Sequence, residues 1–212
     1  QGIQVELLSR GDLRKIAPYI SDKMVGGSFC PDEGMASPLL ATPALARAAR
    51  NMGARFFTRT VLESIEETGD GFSAKTSIGE ITAGRIVNCA GANSGRVAAM
   101  IGVDIEIEGF PIQVNVTERS APLVKHLLYF AGNRLTLKQA QNGGFLIGGG
   151  WPSRINLKTG WPTINPDSVR GNMRAAISVI PALRDVRLLR IWPAIVNGTN
   201  DWRPILGELP GV

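Results

Sequence analysis

The segment LTLKQAQNGGFLIGG, residues 135–149, gives the strongest indication of the fold. Its first part alternates apolar and polar side chains, as a half-buried strand does, and its last part is a second apolar run. Asn142 and Gly143, between the two parts, tolerate the positive φ that a tight hairpin turn requires. The segment therefore predicts two antiparallel strands, 135–140 and 145–149, that pair through a short turn.

On both sides of this hairpin in the sequence, further short runs rich in β-branched and aromatic residues are separated by glycine turns, which is typical of strands. They cover 55–58, 60–66, 72–78, 85–90, 105–117 and 186–195, and Pro111 places its strand at a sheet edge or at a bulge. Capping residues and apolar spacings of three and four predict helices at 10–19, 37–53 and 94–101. Another helix is predicted from Asn165, with Val169, Met173, Ile177 and Ile180 on one face. Strands and helices do not alternate regularly, so the predicted class is α+β, with a large, mostly antiparallel sheet flanked by helices.

Composition excludes several classes of protein. Hydrophobic residues make up 44% of the 212 and charged residues 19%, which is ordinary globular composition and argues against disorder. No apolar stretch approaches the roughly 18 residues of a membrane span, and the first residues lack the pattern of a secretion signal, so we expect a cytoplasmic protein without a transmembrane segment. Two cysteines and one histidine make a disulfide framework or a zinc site implausible, and we assign no metal ligand.

The net charge of +5 raises the question of nucleic acid. The lysines and arginines are scattered, and the nearest thing to a cluster is Arg184, Arg187 and Arg190 with Asp185 among them. We interpret these three arginines as a solvated surface rather than a phosphate-binding patch, and we expect no nucleic-acid partner.

Five dispersed segments carry a family resemblance when they are taken in chain order. They are TPALARAA at 42–49 running into GARF at 53–56, TVL at 60–62 with Ile65, AGRIVNCAGA at 83–92, LKQ at 137–139 through GGFLIGGG at 143–150, and RIWP at 190–193 through Thr199, Asp201 and PILG at 204–207. Together they resemble the D-amino-acid oxidase-type family of flavoproteins, whose members oxidise amines and amino acids with FAD.

The resemblance implies where FAD would be held in the full-length protein. Leu62 occupies the third position of the family's T-x-V strand, whose backbone meets the adenine. The turn at Ala90 and Gly91 returns the chain to the FAD domain, and glycine there lets backbone approach a flat cofactor without a Cβ in the way. A tight strand-to-helix turn with no cofactor contact is the alternative interpretation of Gly91. The last segment adds three further candidate cofactor-binding residues: Pro204, Ile205 and Gly207.

The resemblance also implies a domain organisation. Residues 1–36 and 104–190 correspond to a substrate-binding domain, and 37–103 and 191–212 to part of an FAD-binding domain. The family's N-terminal G-x-G-x-x-G and its C-terminal flavin segment lie outside the chain. We therefore expect these 212 residues alone to be inactive, to hold FAD weakly or not at all, and to self-associate through apolar surface around Val87 and Leu62.

Substrate recognition is less determined by the sequence. Val196 stands where several amino-acid oxidases of the family carry an arginine for the substrate carboxylate, and valine cannot make that contact. Other segments resemble catalytic subunits of heteromeric members such as hydrogen cyanide synthase, opine oxidase and sarcosine oxidase, in the last case the beta chain, which implies possible partner subunits. Lys138, Gln139 and Trp192 are candidate substrate-binding residues, against the alternatives of plain sheet surface for the first two and core for the tryptophan.

The predicted function is oxidation of the C–N bond of an amino acid or secondary amine, by hydride transfer to FAD. Because the flavin performs such chemistry, a strong acid–base constellation is not required, and we assign no catalytic residue. Cys89 is expected to be buried inside its strand, and His126 is expected to be exposed or locally bonded, with no catalytic role. A non-catalytic α+β module that binds a partner is the alternative function. The substrate and the final electron acceptor stay open.

Overall fold

A computed structural model describes residues 2–208 and divides the chain into two compact units. The first unit comprises Gln1–Ala36 and Pro111–Ala194, and the second comprises Ser37–Phe110 and Ile195–Val212. Position 1 begins the predicted segment 1–36, and positions 209–212 end the predicted segment 191–212. These positions lie outside the described residues. The predicted substrate-binding segments were 1–36 and 104–190, so the first unit begins its second segment seven residues later and ends it four residues later.

The structure contains four α-helices and twelve strands within residues 2–208. The helices are α1 (Arg10–Ile16), α2 (Pro38–Asn51), α3 (Ser94–Ala99) and α4 (Pro166–Val179). The strands are β1 (Glu6–Ser9), β2 (Gly26–Phe29), β3 (Leu62–Thr68), β4 (Gly71–Thr76), β5 (Gly79–Ala83), β6 (Glu108–Arg119), β7 (Leu128–Tyr129), β8 (Thr136–Gln139), β9 (Gly144–Gly148), β10 (Arg154–Ile155), β11 (Pro162–Thr163) and β12 (Leu188–Gly198). The predicted α+β class is confirmed.

The largest sheet has five strands in the order β12-β6-β9-β8-β7. The predicted hairpin forms its middle: β8 and β9 pair antiparallel with Leu137 opposite Ile147 and Gln139 opposite Phe145. The β6–β9 and β7–β8 pairs are antiparallel as well. The β6–β9 pair has a register shift between Val116 and Arg119. The predicted antiparallel character is confirmed, but Pro111 does not lie on an edge strand, because β6 has a neighbour on each side.

The core of the first unit lies where α4 packs on β8 and β9. Leu137, Phe145 and Ile147 are completely buried there. From the helix side Ala175, Ala176, Val179, Ile180 and Leu183 join the same cluster. Period-two burial along the strands explains this core, since residues two apart point to one face of a sheet.

Buried polar contacts fix the position of α4. Asn165 caps the helix by accepting a hydrogen bond from the Asp167 N–H at 3.2 Å, and Pro166 fits the first turn. The Gln113 side chain on β6 accepts from the Asn165 N–H at 2.8 Å and donates to the Asn165 carbonyl at 3.1 Å. Asn172, fully buried, donates to the Gly148 carbonyl at 2.8 Å. These bonds tie the start and the middle of the helix to the sheet.

The second unit is built on a three-stranded antiparallel sheet, β3-β4-β5. Helix α2 has no buried residue, although its apolar side chains recur at helical spacing. The predicted strands 55–58 and 85–90 are wrong, because both segments are irregular and the strand after β4 is Gly79–Ala83 instead. A run with strand propensity needs a partner ladder, and 85–90 pairs with no strand among the described residues.

Candidate cofactor-binding site

A depression of about 400 Å³ in the second unit is lined by two of the predicted cofactor residues, Leu62 and Ala90. The start of β3, the irregular segment after β5 and helix α3 form its walls. Its lining consists of Thr60, Val61, Leu62, Ile86, Val87, Asn88, Cys89, Ala90, Asn93, Arg96 and Val97. Leu62 and Ala90, 28 residues apart in the chain, are therefore brought to one cavity.

The turn beside Ala90 is held by a side chain that sequence reasoning missed. Asn88 accepts a hydrogen bond from the Ala90 N–H at 3.2 Å and donates to the Ser94 carbonyl at 2.9 Å. Asparagine bonded to the backbone two residues further on forms an Asx turn, a local signal that was present in the sequence. Asn88 thus orients the Ala90–Gly91 backbone before α3 begins.

Gly91 has a φ of +58°, which L-amino acids with a side chain rarely adopt. A Cβ built on it would meet only Asn197 Oδ1, at 4.0 Å, so no atom of the described residues fills the space beside it. The turn therefore offers bare backbone next to open volume. Because φ is positive, alanine at position 91 would be strained whether or not a cofactor lies against the turn.

A second residue of unusual backbone geometry lies at the other wall. Arg59, immediately before the lining residue Thr60, has a φ of +57°. Positive φ at a non-glycine residue costs free energy, and such residues concentrate at ligand sites. The chain thus adopts uncommon backbone conformations on both sides of the depression.

The lining is mostly apolar and carries one charge. Val61 and Val87 are 56% and 83% exposed, which leaves aliphatic surface in contact with water. Arg96 is the only ionisable group among the lining residues other than Cys89. Apolar walls with one cation suit a flat aromatic ligand that carries phosphate. Within residues 2–208, no cluster of three or more metal-ligating side chains occurs.

The other predicted cofactor residues do not line this depression. Pro204, Ile205 and Gly207 follow β12 in an exposed segment of the same unit. The neighbouring Asp201 instead has a local role: it accepts from the Arg203 N–H at 3.0 Å and from the Thr199 hydroxyl at 3.0 Å. These two bonds, that from Arg203 first, lower the pKa of the Asp201 carboxyl and form the turn before Pro204.

The predicted substrate residues lie in the first unit and differ from one another. Gln139 is bonded within the protein at both polar atoms: its oxygen accepts from the N–H groups of Leu123 and Val124, at 2.7 and 2.9 Å. Its nitrogen donates to the carbonyls of Ala121 and Gly143, at 2.9 and 3.0 Å. Gln139 therefore holds a loop and the hairpin turn, which leaves no free polar atom for a substrate.

Lys138 and Trp192 keep accessible surface. Lys138 points to the opposite face from Gln139, where it is half-buried beside Leu146 of β9. No hydrogen bond or ion pair of its ammonium group occurs within the described residues. Trp192 on β12 is 37% exposed, so it is not a core residue.

Two further expectations are settled by the geometry. Cys89 is exposed, which corrects the expectation of a buried thiol, because the segment 85–90 has no neighbouring strand to cover it in the part of the chain that the structure describes. His126 is half-buried and locally bonded: the Tyr19 hydroxyl lies 2.6 Å from its Nδ1, and Phe29 packs edge-on against its ring. This cluster lies inside the first unit and joins its N-terminal segment to the loop before β7.

The family described as FAD dependent oxidoreductase matches the chain over residues 1–212. The beta chain of sarcosine oxidase from Rhizobium meliloti is 28% identical over 99% of the chain and 51% of its own length. An opine oxidase subunit of the same species is 28% identical over 96% of the chain and 52% of its own length. A hydrogen cyanide synthase subunit of Pseudomonas protegens also matches, so the resemblance to this group is confirmed.

Among solved structures, the L-proline dehydrogenase of P. horikoshii superposes with a TM-score of 0.89 at 25% identity. The match covers 98% of the chain and 56% of that protein. The chain thus spans about half the length of the relatives it matches. No helix in the described residues has the length and apolar character needed to cross a bilayer.

Proposed function

Because the chain belongs to the FAD-dependent oxidoreductase family, we propose that the full-length protein oxidises the C–N bond of an amino acid or secondary amine, with FAD as the electron acceptor. The observation that carries this proposal is the depression in the second unit. It brings together Leu62 and Ala90, with Gly91 adjacent, and these are residues that the family resemblance independently assigns to the cofactor.

The residues of the depression fit the adenosine and phosphate portion of FAD. The backbone of Leu62 and the turn at Ala90 and Gly91 would hold the cofactor, since bare peptide groups can approach a flat ring or a phosphate closely. The exposed Val61 and Val87 would be covered by the ligand, which removes apolar surface from water. Arg96 supplies the positive charge that a pyrophosphate requires.

FAD held by these residues would supply the acceptor for the hydride of the carbon next to the amine nitrogen, and the imine product would be hydrolysed by water. The residues of the chain orient and bind. Asn88 fixes the turn that meets the cofactor, and Lys138 offers its ammonium group to a substrate carboxylate. Several family members bind the substrate carboxylate with an arginine at the position of Val196, whose side chain has no charge. Lys138 is our candidate for that contact here. Trp192 remains a candidate wall of the substrate site.

Several relatives are named as subunits, which supports a further part of the proposal. We propose that the full-length protein acts with partner subunits, as the names of the sarcosine oxidase and opine oxidase subunits state for those proteins. Residues 1–212 by themselves contain the depression but span only about half of such a relative, so we expect them to be inactive alone and to hold FAD weakly.

Anaerobic flavin reduction of the full-length protein tests the proposal. We expect the purified protein to carry FAD, and its oxidised flavin absorbance to bleach on addition of at least one compound from a panel of amino acids and N-methyl amino acids that includes sarcosine and L-proline. A full-length protein that takes up no FAD on reconstitution would favour the partner-binding module instead. Flavin that is bound but reduced by dithionite and by no amine would refute the substrate class alone.

A further inference from the structure

The hairpin formed by β10 and β11 projects apolar side chains away from the first unit. Its strands pair with Arg154 opposite Thr163 and Ile155 opposite Pro162, and 156–161 form its tip. Leu157 at the tip is 95% exposed and Trp161 is 73% exposed. Single exposed apolar residues are common on protein surfaces, but here one short turn carries two large ones.

Five backbone N–H groups of the tip are bonded within it. The Asn156 side-chain oxygen accepts from the N–H groups of Lys158 and Thr159, at 2.9 and 3.3 Å. The Asn156 carbonyl accepts from the Gly160 N–H at 2.8 Å, and the Asn156 N–H donates to the Trp161 carbonyl at 2.9 Å. The Trp161 N–H donates to the Thr159 hydroxyl at 3.3 Å. A tip bonded in this way can leave water without leaving these amides unpaired.

The tip segment itself carries only positive charge. Residues 153–166 contain Arg154 and Lys158 and no acidic residue. The first carboxylate that follows, Asp167, lies 3.8 Å from Arg154 and is also bonded to Arg170 on α4. Tryptophan and leucine flanked by lysine and arginine is the composition of segments that lie in the interface of an anionic membrane.

The size of the surface favours a bilayer over a protein partner. A tryptophan and a leucine offer roughly 200 Å² each at most, whereas a stable protein interface takes about 800 Å² from each partner. A convex tip needs a complementary pocket in a protein, but it enters the headgroup layer without one. Insertion of two side chains, assisted by two cations, would give weak and reversible attachment to one face of a bilayer.

We propose that the tip, residues 156–161, inserts Leu157 and Trp161 into the interfacial layer of a membrane that contains anionic lipid. Arg154 and Lys158 then meet the lipid headgroups, and the protein attaches to one face of the bilayer without crossing it. This proposal does not depend on flavin chemistry, so it stands or falls separately from the proposed function.

Vesicle co-sedimentation of the full-length protein is the test, with phosphatidylcholine alone and phosphatidylcholine mixed with phosphatidylglycerol. We expect binding to the mixed vesicles that weakens as salt is raised, because the cations are screened. The double variant Leu157→Ser with Trp161→Ser should reduce the partition coefficient about tenfold or more. Lys158→Glu should reduce binding to the mixed vesicles specifically. Tyr129→Ser, which removes an exposed aromatic residue of β7, is the matched control and should bind like the parent.

A second readout locates the inserted residue. Brominated phosphatidylcholine should quench part of the tryptophan fluorescence of the parent, and Trp161→Phe should remove that part. The proposal is overturned if the parent protein does not bind the mixed vesicles, or if the double variant binds them equally well. It is also overturned if the double variant lowers the thermal stability or the oligomeric mass of the full-length protein, since the tip would then be covered by protein.

Discussion

The two units of the chain bury their apolar residues to very different extents. In the first unit Leu137, Phe145 and Ile147 are completely buried against α4. In the second unit α2 has no buried residue, Met52 at its end is 88% exposed, and Val87 at the depression is 83% exposed. The first unit has an extensive core of its own, whereas the second buries only Ile65 and Ala98 among its described apolar residues.

This contrast indicates which part of the function each unit can hold alone. A unit with a closed core keeps its geometry without help, so the sheet that carries Lys138 and Trp192 is already formed. A helix with an apolar stripe and no neighbour is only marginally stable in water. The second unit therefore needs a ligand or further protein at its exposed faces, which agrees with relatives about twice as long as this chain.

The largest expected effect is on the core of the first unit. Phe145→Ala removes a completely buried ring and should lower the free energy of unfolding by about 4 kcal/mol. Leu45→Ala on α2 is the contrasting change, and it should cost less than about 0.5 kcal/mol in residues 1–212 on their own, because Leu45 is exposed. Urea unfolding of both variants measures the difference.

The same two substitutions, made in the full-length protein, test whether additional protein covers α2. If additional protein covers α2 there, Leu45→Ala should cost about 2 kcal/mol or more, whereas the cost of Phe145→Ala should not change. A Leu45→Ala cost as small in the full-length protein as in residues 1–212 alone would mean that α2 stays exposed.

A smaller effect concerns the contact of α4 with Trp151. A Cβ at Gly171 would overlap the Trp151 ring, so the helix approaches the ring only because position 171 has no side chain. Gly171→Ala should therefore destabilise the first unit by about 2 kcal/mol through overpacking, against the usual gain of alanine in a helix. Gly11→Ala in α1, where the nearest atom is 3.7 Å away, is the matched control and should be neutral or stabilising. Thermal unfolding that ranks the two variants alike would contradict this packing.

The smallest effect is a pH dependence inside the first unit. Burial raises the pKa of the Tyr19 hydroxyl, partly offset by its contact with His126. The folded state thus keeps this proton to higher pH than the unfolded chain, whose tyrosine titrates near a pKa of about 10. This contribution to stability is complete below about pH 10 and is lost as pH rises through the folded pKa.

Two variants isolate that titration. Tyr129→Phe leaves Tyr19 as the only tyrosine of the chain, so its ultraviolet titration reports Tyr19 alone. The double variant with Tyr19→Phe should lose less stability between neutral and alkaline pH than Tyr129→Phe does. Equal losses in urea unfolding would show that Tyr19 is not the group responsible.

The sequence predicted local structure well wherever short-range chemistry determines it. Asn142 and Gly143 specify the turn between β8 and β9, and Asn165 with Pro166 specifies the start of α4. The buried face of α4 was predicted in part: Ile180 is completely buried, and Met173 and Ile177 pack against the core. The buried residues Asn172, Ala175, Ala176 and Val179 were not predicted. Small and polar residues lie toward the sheet because close packing and the Asn172 hydrogen bond decide the face.

The candidate site was predicted in part. Leu62, Ala90 and Gly91 converge at the depression, but Pro204, Ile205 and Gly207 do not line it. The role of Gln139 depends on loop residues 15 to 18 positions away, which no local pattern reveals. Asn88 and Arg96 were missed, although the Asx signal of Asn88 was readable from the sequence.

Flavin occupancy of glycine variants in the full-length protein shows whether the depression holds FAD. Gly91 and Gly102 both have positive φ, +58° and +74°, and both lie in the second unit, so alanine should cost each about 1 kcal/mol of backbone strain. Only Gly91 lies beside the lining residue Ala90. We predict that Gly91→Ala and Gly91→Val lower the FAD bound per protein in a graded way, while Gly102→Ala and Gly102→Val retain it. Equal FAD content in all four variants would contradict the assignment of the cofactor to this site.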